Sequence, residues 1–189
     1  MSAIQQAIAS YGSVTSTAVT WNPLDKSSGV SLNSGDLGVS FTSSFNLGRA
    51  TSGKSSGKWY WETTISNATD LTLGVANSSA STTAGSTWVG NTADSWGWFN
   101  LNGFLYTNNT AVFNVGTYAA ADVLGFALDM VAGTITFYKN NVSVGSFSGL
   151  TGTIYPATGN FTSTAGTTTT NFGATAFVYA PPAGHIALT

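Results

Sequence analysis

One histidine, one glutamate, six aspartates and no cysteine are the whole stock of imidazole, carboxylate and thiol side chains in this sequence. A Ser-His-Asp relay needs its imidazole bonded to a nucleophile and oriented by an acid; the lone His185 stands in PPAGHIAL at the end of the chain and receives no catalytic role. Paired-carboxylate chemistry needs two acids facing across a gap of roughly 5 to 9.5 Å. Glu62 has only Asp70 and Asp94 as its near acidic neighbours, both in loops, so it reads as structural or solvated. Asp122 and Asp129 bracket one strand, and a separation of seven puts them on opposite faces by period-two counting. Thiol nucleophiles, zinc-thiolate sites and disulfides are excluded outright. No D-x-[DN]-x-[DN]-G calcium loop occurs, and Gly53 and Gly57 around Lys54 and Lys58 precede a strand rather than the helix a phosphate loop requires. No cofactor or metal is expected, and no enzymatic activity. The sequons at Asn67 and Asn108 are what chance gives in a chain this rich in Asn, Ser and Thr.

What remains is binding chemistry. The stretch SGKSSGKWYWETTI, residues 52–65, sets two lysines beside Trp59, Tyr60 and Trp61, with Arg49 just upstream, in a chain whose charged residues make up only 6%. It is either a basic aromatic platform or a strand. Trp88, Trp98, Phe104, Tyr106, Tyr118 and Phe161 offer further flat apolar faces for a protein or a sugar ring, most of them expected to pack inside. The net charge of -2 leaves no electrostatic footprint for nucleic acid or an anionic membrane. Recognition by shape and hydrogen bonds follows. A surface with little charge to oppose association also suits a stable assembly or an extracellular particle. MSAIQQAIASYG has neither a basic n-region nor a long apolar core, so neither a signal peptide nor membrane insertion is expected, and the chain reads as soluble.

The elements that must position these groups are short strands. Abundant Gly, Ser, Thr and Asn between apolar runs, with few Lys, Glu and Gln, favour strands and turns over helices. At 189 residues, one core and one domain are expected. Strands are predicted at residues 30–32, 37–41, 58–65, 71–75, 97–101, 104–106, 123–129, 134–138, 142–147, 154–158 and 168–172. Asn102-Gly103 is read as a tight hairpin turn and Asn140-Asn141 as a type I′ turn. In 58–65, Trp59, Trp61, Thr63 and Ile65 share one face, and Tyr60, Glu62 and Thr64 the other. The architecture is all-β, a two-sheet antiparallel sandwich spanning 19–189, preceded by an arm at 1–18. Ile4, Ala7, Ile8 and Tyr11 follow one another at helical spacing up to Gly12, giving either a frayed terminus or a short helical anchor onto another subunit. Two connections read as functional loops, residues 77–94 and 160–166.

Taken in order, GKWYWETTI, LTLGVAN, SWGWFNLNGFLY, DVLGFALDMVAGTITFYKNNVSVGSF, TIYPAT, TTNFG and PPAGHIAL resemble the motifs of a SPRY (B30.2-like) domain, from about residue 19 to the C-terminus. The upstream WNPLDKSSGVSLNSGDL resembles the segment ahead of this core in SPRY modules of bacteriophage structural and tail proteins. The resemblance implies a bent sandwich that binds through variable loops at one end, with His185 in or beside a terminal strand. Val89-Gly90 and Trp96-Gly97-Trp98 are similar in spacing to the SOCS-box branch. That branch holds a peptide with a tyrosine at the position of Gly85 and a Trp-Gly pair near Thr162-Ser163, so its peptide specificity does not carry over. Asn140-Asn141 replaces the family's usual Asn-Gly.

The function expected is therefore a non-enzymatic binding module, a phage virion component in a tail fibre, tail tip or capsid decoration, that recognises protein or glycan. The expected contact residues are Gly85, Ser86, Thr87, Thr158, Asn160, Phe161 and Thr162, with Ile4, Ala7, Ile8 and Tyr11 as the assembly anchor. Its partners would be other virion proteins, a host-surface protein or glycan, or further copies of itself. The alternative is a soluble cytoplasmic SPRY adaptor that binds a short peptide.

Overall fold

A computed structural model describes residues 18–189, so the proposed anchor Ile4, Ala7, Ile8 and Tyr11 lies outside the described residues. Fifteen strands and no helix occur among the described residues. They form two facing sheets. The first runs β1 (Trp21–Lys26), β4 (Asn46–Ala50), β13 (Ile154–Asn160), β6 (Leu71–Asn77), β7 (Ser95–Phe99), β8 (Phe104–Thr107) and β9 (Thr110–Asn114). The second runs β12 (Val142–Ser148), β11 (Thr134–Lys139), β10 (Val123–Asp129), β5 (Lys58–Asn67), β14 (Thr167–Asn171), β3 (Gly38–Phe41) and β2 (Val30–Asn33), with β15 (Ile186–Ala187) added beside β5. Every pairing is antiparallel except that of β15 with β5.

The alternation predicted for β5 holds. Trp61 and Ile65 are buried in the core between the sheets, and Trp61 stacks on Phe126 at 5.4 Å and 8°. Phe126 meets Phe137 edge-on, and Phe137 meets Trp98, whose Nε1–H donates to the Gly116 carbonyl at 2.8 Å. A buried indole thus keeps a partner for its one donor. Trp98 and Tyr118, two of the candidate binding aromatics, belong to this core.

Both sheets are also covered on their outer faces, which alternation alone does not foretell. On the first, residues 78–94 fold back so that Ala80 and Val89 pack on Leu47, Ala76 and Ala157. Gly97 makes this possible, because a Cβ there would lie 2.3 Å from the Val89 carbonyl oxygen. Arg49 fixes the start of the segment. Its guanidinium donates to both oxygens of Asp25 at 2.7 and 2.8 Å and to the carbonyls of Asn77 and Ala80. Only the planar fork of arginine satisfies so many acceptors at once. On the second sheet, residues 173–185 form a strap: Phe177 sits edge-on to Tyr60 at 5.1 Å, and Glu62 receives the Tyr60 hydroxyl at 3.0 Å and the amides of Val178 and Tyr179 at 2.7 and 2.9 Å. Glu62 is therefore buried and structural rather than solvated.

Two local expectations change and one holds. Asn102-Gly103 does not make a two-residue turn: β7 ends at Phe99, and a four-residue loop follows in which Gly103 alone takes positive φ, +75°. Asn140-Asn141 does form the tight turn, at φ 49° and 70°. Strands β1, β4 and β9 are additional to those predicted, because their sequences carry Pro, Gly or uninterrupted exposure in place of clean alternation.

Candidate functional site

The two loops singled out in the sequence meet at one end of the sandwich. A third one, residues 42–45 between β3 and β4, joins them, and Phe45 is the junction. Its N–H donates to the Phe161 carbonyl at 2.7 Å, and its own carbonyl accepts from the Gly85 N–H at 2.9 Å. It does this at φ +56°, a left-handed conformation that costs a bulky residue about 1–2 kcal/mol. Such cost persists only where surrounding contacts over-determine it, and it concentrates at sites that hold ligands. Ser44 Oγ adds a bond to the Thr162 carbonyl at 2.7 Å.

Beneath the loops lies an aromatic platform. Phe45 meets Phe161 edge-on at 4.9 Å, and Phe161 in turn meets Phe99 at 5.4 Å and Trp88 at 5.6 Å. Tyr106 closes the group against Trp88 and Phe99 at 5.3 and 5.7 Å. Trp88 is buried, whereas Phe45, Phe161, Phe104 and Tyr106 are half-buried and show part of each ring. Edge-to-face contacts of this kind add about 0.5–1.5 kcal/mol each and hold the rings in place without a ligand.

Two polar clusters fix the loop backbones. Asp70, buried in the turn between β5 and β6, accepts from the amides of Thr162 and Ser163 at 2.7 and 2.6 Å and from the Thr162 hydroxyl at 2.6 Å. Asn160 Nδ2–H donates to the carbonyls of Ser43 and Ser163, and its Oδ1 accepts from Asn46, which also bonds Ser43. The 42–45 and 160–163 segments are thus hydrogen-bonded from below, and the Gly85 turn is tied to them through Phe45.

The predicted contact residues divide accordingly. Gly85, Ser86 and Thr162 are exposed and Phe161 is half-buried, all on the loop surface. Thr87, Thr158 and Asn160 are corrected: at 2%, 0% and 0% exposure none can meet a partner. Thr158 and Asn160 fall within β13, which runs two residues further than predicted, and Asn160 serves as a brace. Phe45 and Asp70 were not foreseen as site residues; the available signal was a single aromatic within the polar run Thr42-Ser43-Ser44. The exposed surface comprises Thr42, Ser43, Gly85, Ser86 and Thr162, none of them charged.

Elsewhere, charges are tied to turns. Asp129 pairs with Lys58 at 2.8 Å and also takes the amides of Val131 and Ala132, which holds its carboxyl below the usual value of 3.8. Burial pushes Asp122 up, but the Ala119 amide, Asn140 and Lys139 together outweigh it and leave the carboxyl lowered. Burial, reinforced by Glu62, raises Tyr60 far above the ordinary phenol range, and burial with Asp70 nearby raises Tyr118. No group of three or more His, Cys, Asp or Glu gathers as a metal site among the described residues, and no helix there is long and apolar enough to cross a membrane.

Two covered antiparallel sheets with a braced, uncharged loop end define a β-sandwich recognition domain. The family model for the SPRY domain matches residues 58–174, and the chain belongs to that family, whose members are protein-binding modules. The fold is similar to the SPRY domain of human HERC1, with a TM-score of 0.70 and 21% identity over 79% of this chain and 96% of that one. It is also similar to the PSpry domain of TRIM65, with a TM-score of 0.68 and 20% identity over 82% and 90% of the two chains. Stonustoxin gives a TM-score of 0.68 and 21% identity over 82% of this chain, which there spans only 27% of the longer protein. No curated protein matches the sequence.

Proposed function

We propose that the chain is a non-enzymatic recognition module that holds a protein or glycan surface against its loop end, in the setting of a phage particle. There it would serve as a tail-fibre or tail-tip attachment unit or as a capsid decoration. The Phe45 junction carries the reading. A bulky residue held at φ +56° ties three loops together and presents two half-buried rings among hydroxyls that carry no charge. Because the loops are braced before any ligand arrives, binding is spared much of their ordering entropy. Ser86, Thr162 and Ser43 supply hydrogen bonds, and the rings supply an apolar patch. The particle setting is supported by the resemblance of WNPLDKSSGVSLNSGDL to phage modules and by a chain with only five basic and seven acidic residues.

A soluble adaptor that binds a short peptide would use the same face. Immobilised full-length chain is to be exposed in parallel to solubilised host envelope and to cytosolic lysate. The expected result is an envelope component that is retained by the parent chain and lost on substitution of the exposed Ser86 by arginine, Ser86→Arg, with the unfolding midpoint unchanged. Retention of a cytosolic protein alone would replace attachment by the adaptor reading. Release of reducing ends from host glycan would overturn the non-enzymatic assignment.

A further inference from the structure

The two long sides of the sandwich are finished differently. On one side the chain crosses from β1 to β2 between the sheets, with the Ser27 amide bonded to Leu47 and Lys26 Nζ bonded to the Val30 carbonyl, so that both edges are tied together. On the other side β9 and β12 are the last strands of their sheets, with no neighbour beyond either among the described residues. They face each other across a groove of about 310 Å³ lined by Phe113, Asn114, Val115, Val144, Gly145 and Ser146.

Sheet edges are ordinarily defended by lysine, by proline or by a bulge that twists the edge away. Neither TAVFN in β9 nor VSVGSFS in β12 carries a charge or a proline. Both do contain a bulge, at the register shifts opposite Leu105/Tyr106 and Phe137/Tyr138. In β9 its effect is to expose two consecutive apolar residues, Val112 at 41% and Phe113 at 49%. Val142 of β12 is 65% exposed on the same side. No charged residue occurs between Asp94 and Asp122 or after Lys139.

We propose that this side binds a second copy of the chain, β9 pairing antiparallel with β9 of the partner about a two-fold axis near Val112. In that register Thr110 faces Asn114 and Ala111 faces Phe113, and the partner completes the unpaired edge. A two-fold contact sets each patch against itself. A charged edge would therefore repel its copy, and this one, uncharged throughout, does not. Strands of five and seven residues are about 17 and 24 Å long, and a strip of that length across two sheets approaches ~1,000 Å² of total buried surface, the lower limit for specific association. The dimer is accordingly weak and concentration-dependent, and it leaves the loop end free.

The test uses the full chain. Sedimentation velocity from about 10 μM to about 1 mM, the range of weak association, is expected to show the mass rising from 19.4 kDa toward twice that value. Val112→Lys should weaken association at least tenfold with an unchanged unfolding midpoint. Leu24→Lys, on β1 at the opposite edge and 95% exposed, should leave it intact. Because the chain has no cysteine, Val112→Cys offers an independent reading: mild oxidation should yield a cross-linked dimer that Leu24→Cys does not. A monomer at every concentration, or a dimer indifferent to Val112→Lys and not cross-linked through position 112, overturns the proposal.

Discussion

Two aromatic groups in this molecule look alike on paper and do opposite things. Trp59, Tyr60 and Trp61 sit on consecutive positions of β5 beside basic residues, and yet Trp61 and Tyr60 are sealed on the two faces of one sheet, by the core and by the strap. Arg49 is a buried clamp, and Lys54 rests over the half-buried Trp59 ring at 4.1 Å. Phe45, Phe99, Tyr106 and Phe161 are scattered through the sequence, but they converge at the loop end, where Phe99 is buried and the rings of Phe45, Tyr106 and Phe161 lie partly in solvent. Density of aromatics along a sequence reports alternation in a strand; a platform requires convergence from separate elements.

The sharpest way to break this contrast is stability. Trp61→Ala removes a ring with 1% exposure and should cost about 3–5 kcal/mol in denaturant unfolding. Trp59→Ala removes a half-buried one and should cost well under half as much. Equal losses would mean that the whole β5 triplet is core. Next comes the strap. Glu62→Gln withdraws a charged acceptor from the Val178 and Tyr179 amides, an expected loss of about 2–3 kcal/mol. Faster amide exchange at 178 and 179 than at Phe126 should accompany it; uniform exchange would deny that the strap opens separately.

Alkali tests the sealing of the tyrosines. The folded pKa values of Tyr60 and Tyr118 are raised, so their contribution is full below the unfolded value of 10.0 and is lost as pH climbs beyond it. The unfolding midpoint should fall above pH 10, less steeply in Tyr118→Phe if that variant folds, and a flat profile to pH 11.5 would place both phenols in solvent. The smallest effect belongs to the loop end. At φ +56°, Phe45→Gly should be about 1 kcal/mol more stable than Phe45→Ala, the reverse of the usual order. The usual order would remove strain from the description of the junction.

Much of this fold is legible in the sequence because β5, β6, β10 and β11 alternate or run apolar between turn residues, and period-two patterning assigns their faces directly. Glu62 marks where that logic stops. Alternation puts it on the face away from the core, and only the strap, 117 positions further on, makes that face an interior. Asn160, two residues beyond the strand predicted at 154–158, fails for a related reason. A Thr-Gly-Asn sequence is as good a loop as a strand end, and pairing with β4 and β6 decides the matter. Phe45 was hidden because a left-handed phenylalanine has no propensity signal and is imposed by long-range bonds to Gly85 and Phe161.

The strap and β15 also set an order in time. β5 is made first, and the outer partners of Tyr60 and Glu62, like the fully buried Leu188, follow it by more than 100 positions. While the chain is being synthesised from its N-terminal end, the central strand of the second sheet waits with one face uncovered and part of an edge unpaired. The outer face of β5 is therefore covered only once the strap, 117 positions beyond Glu62, has been made.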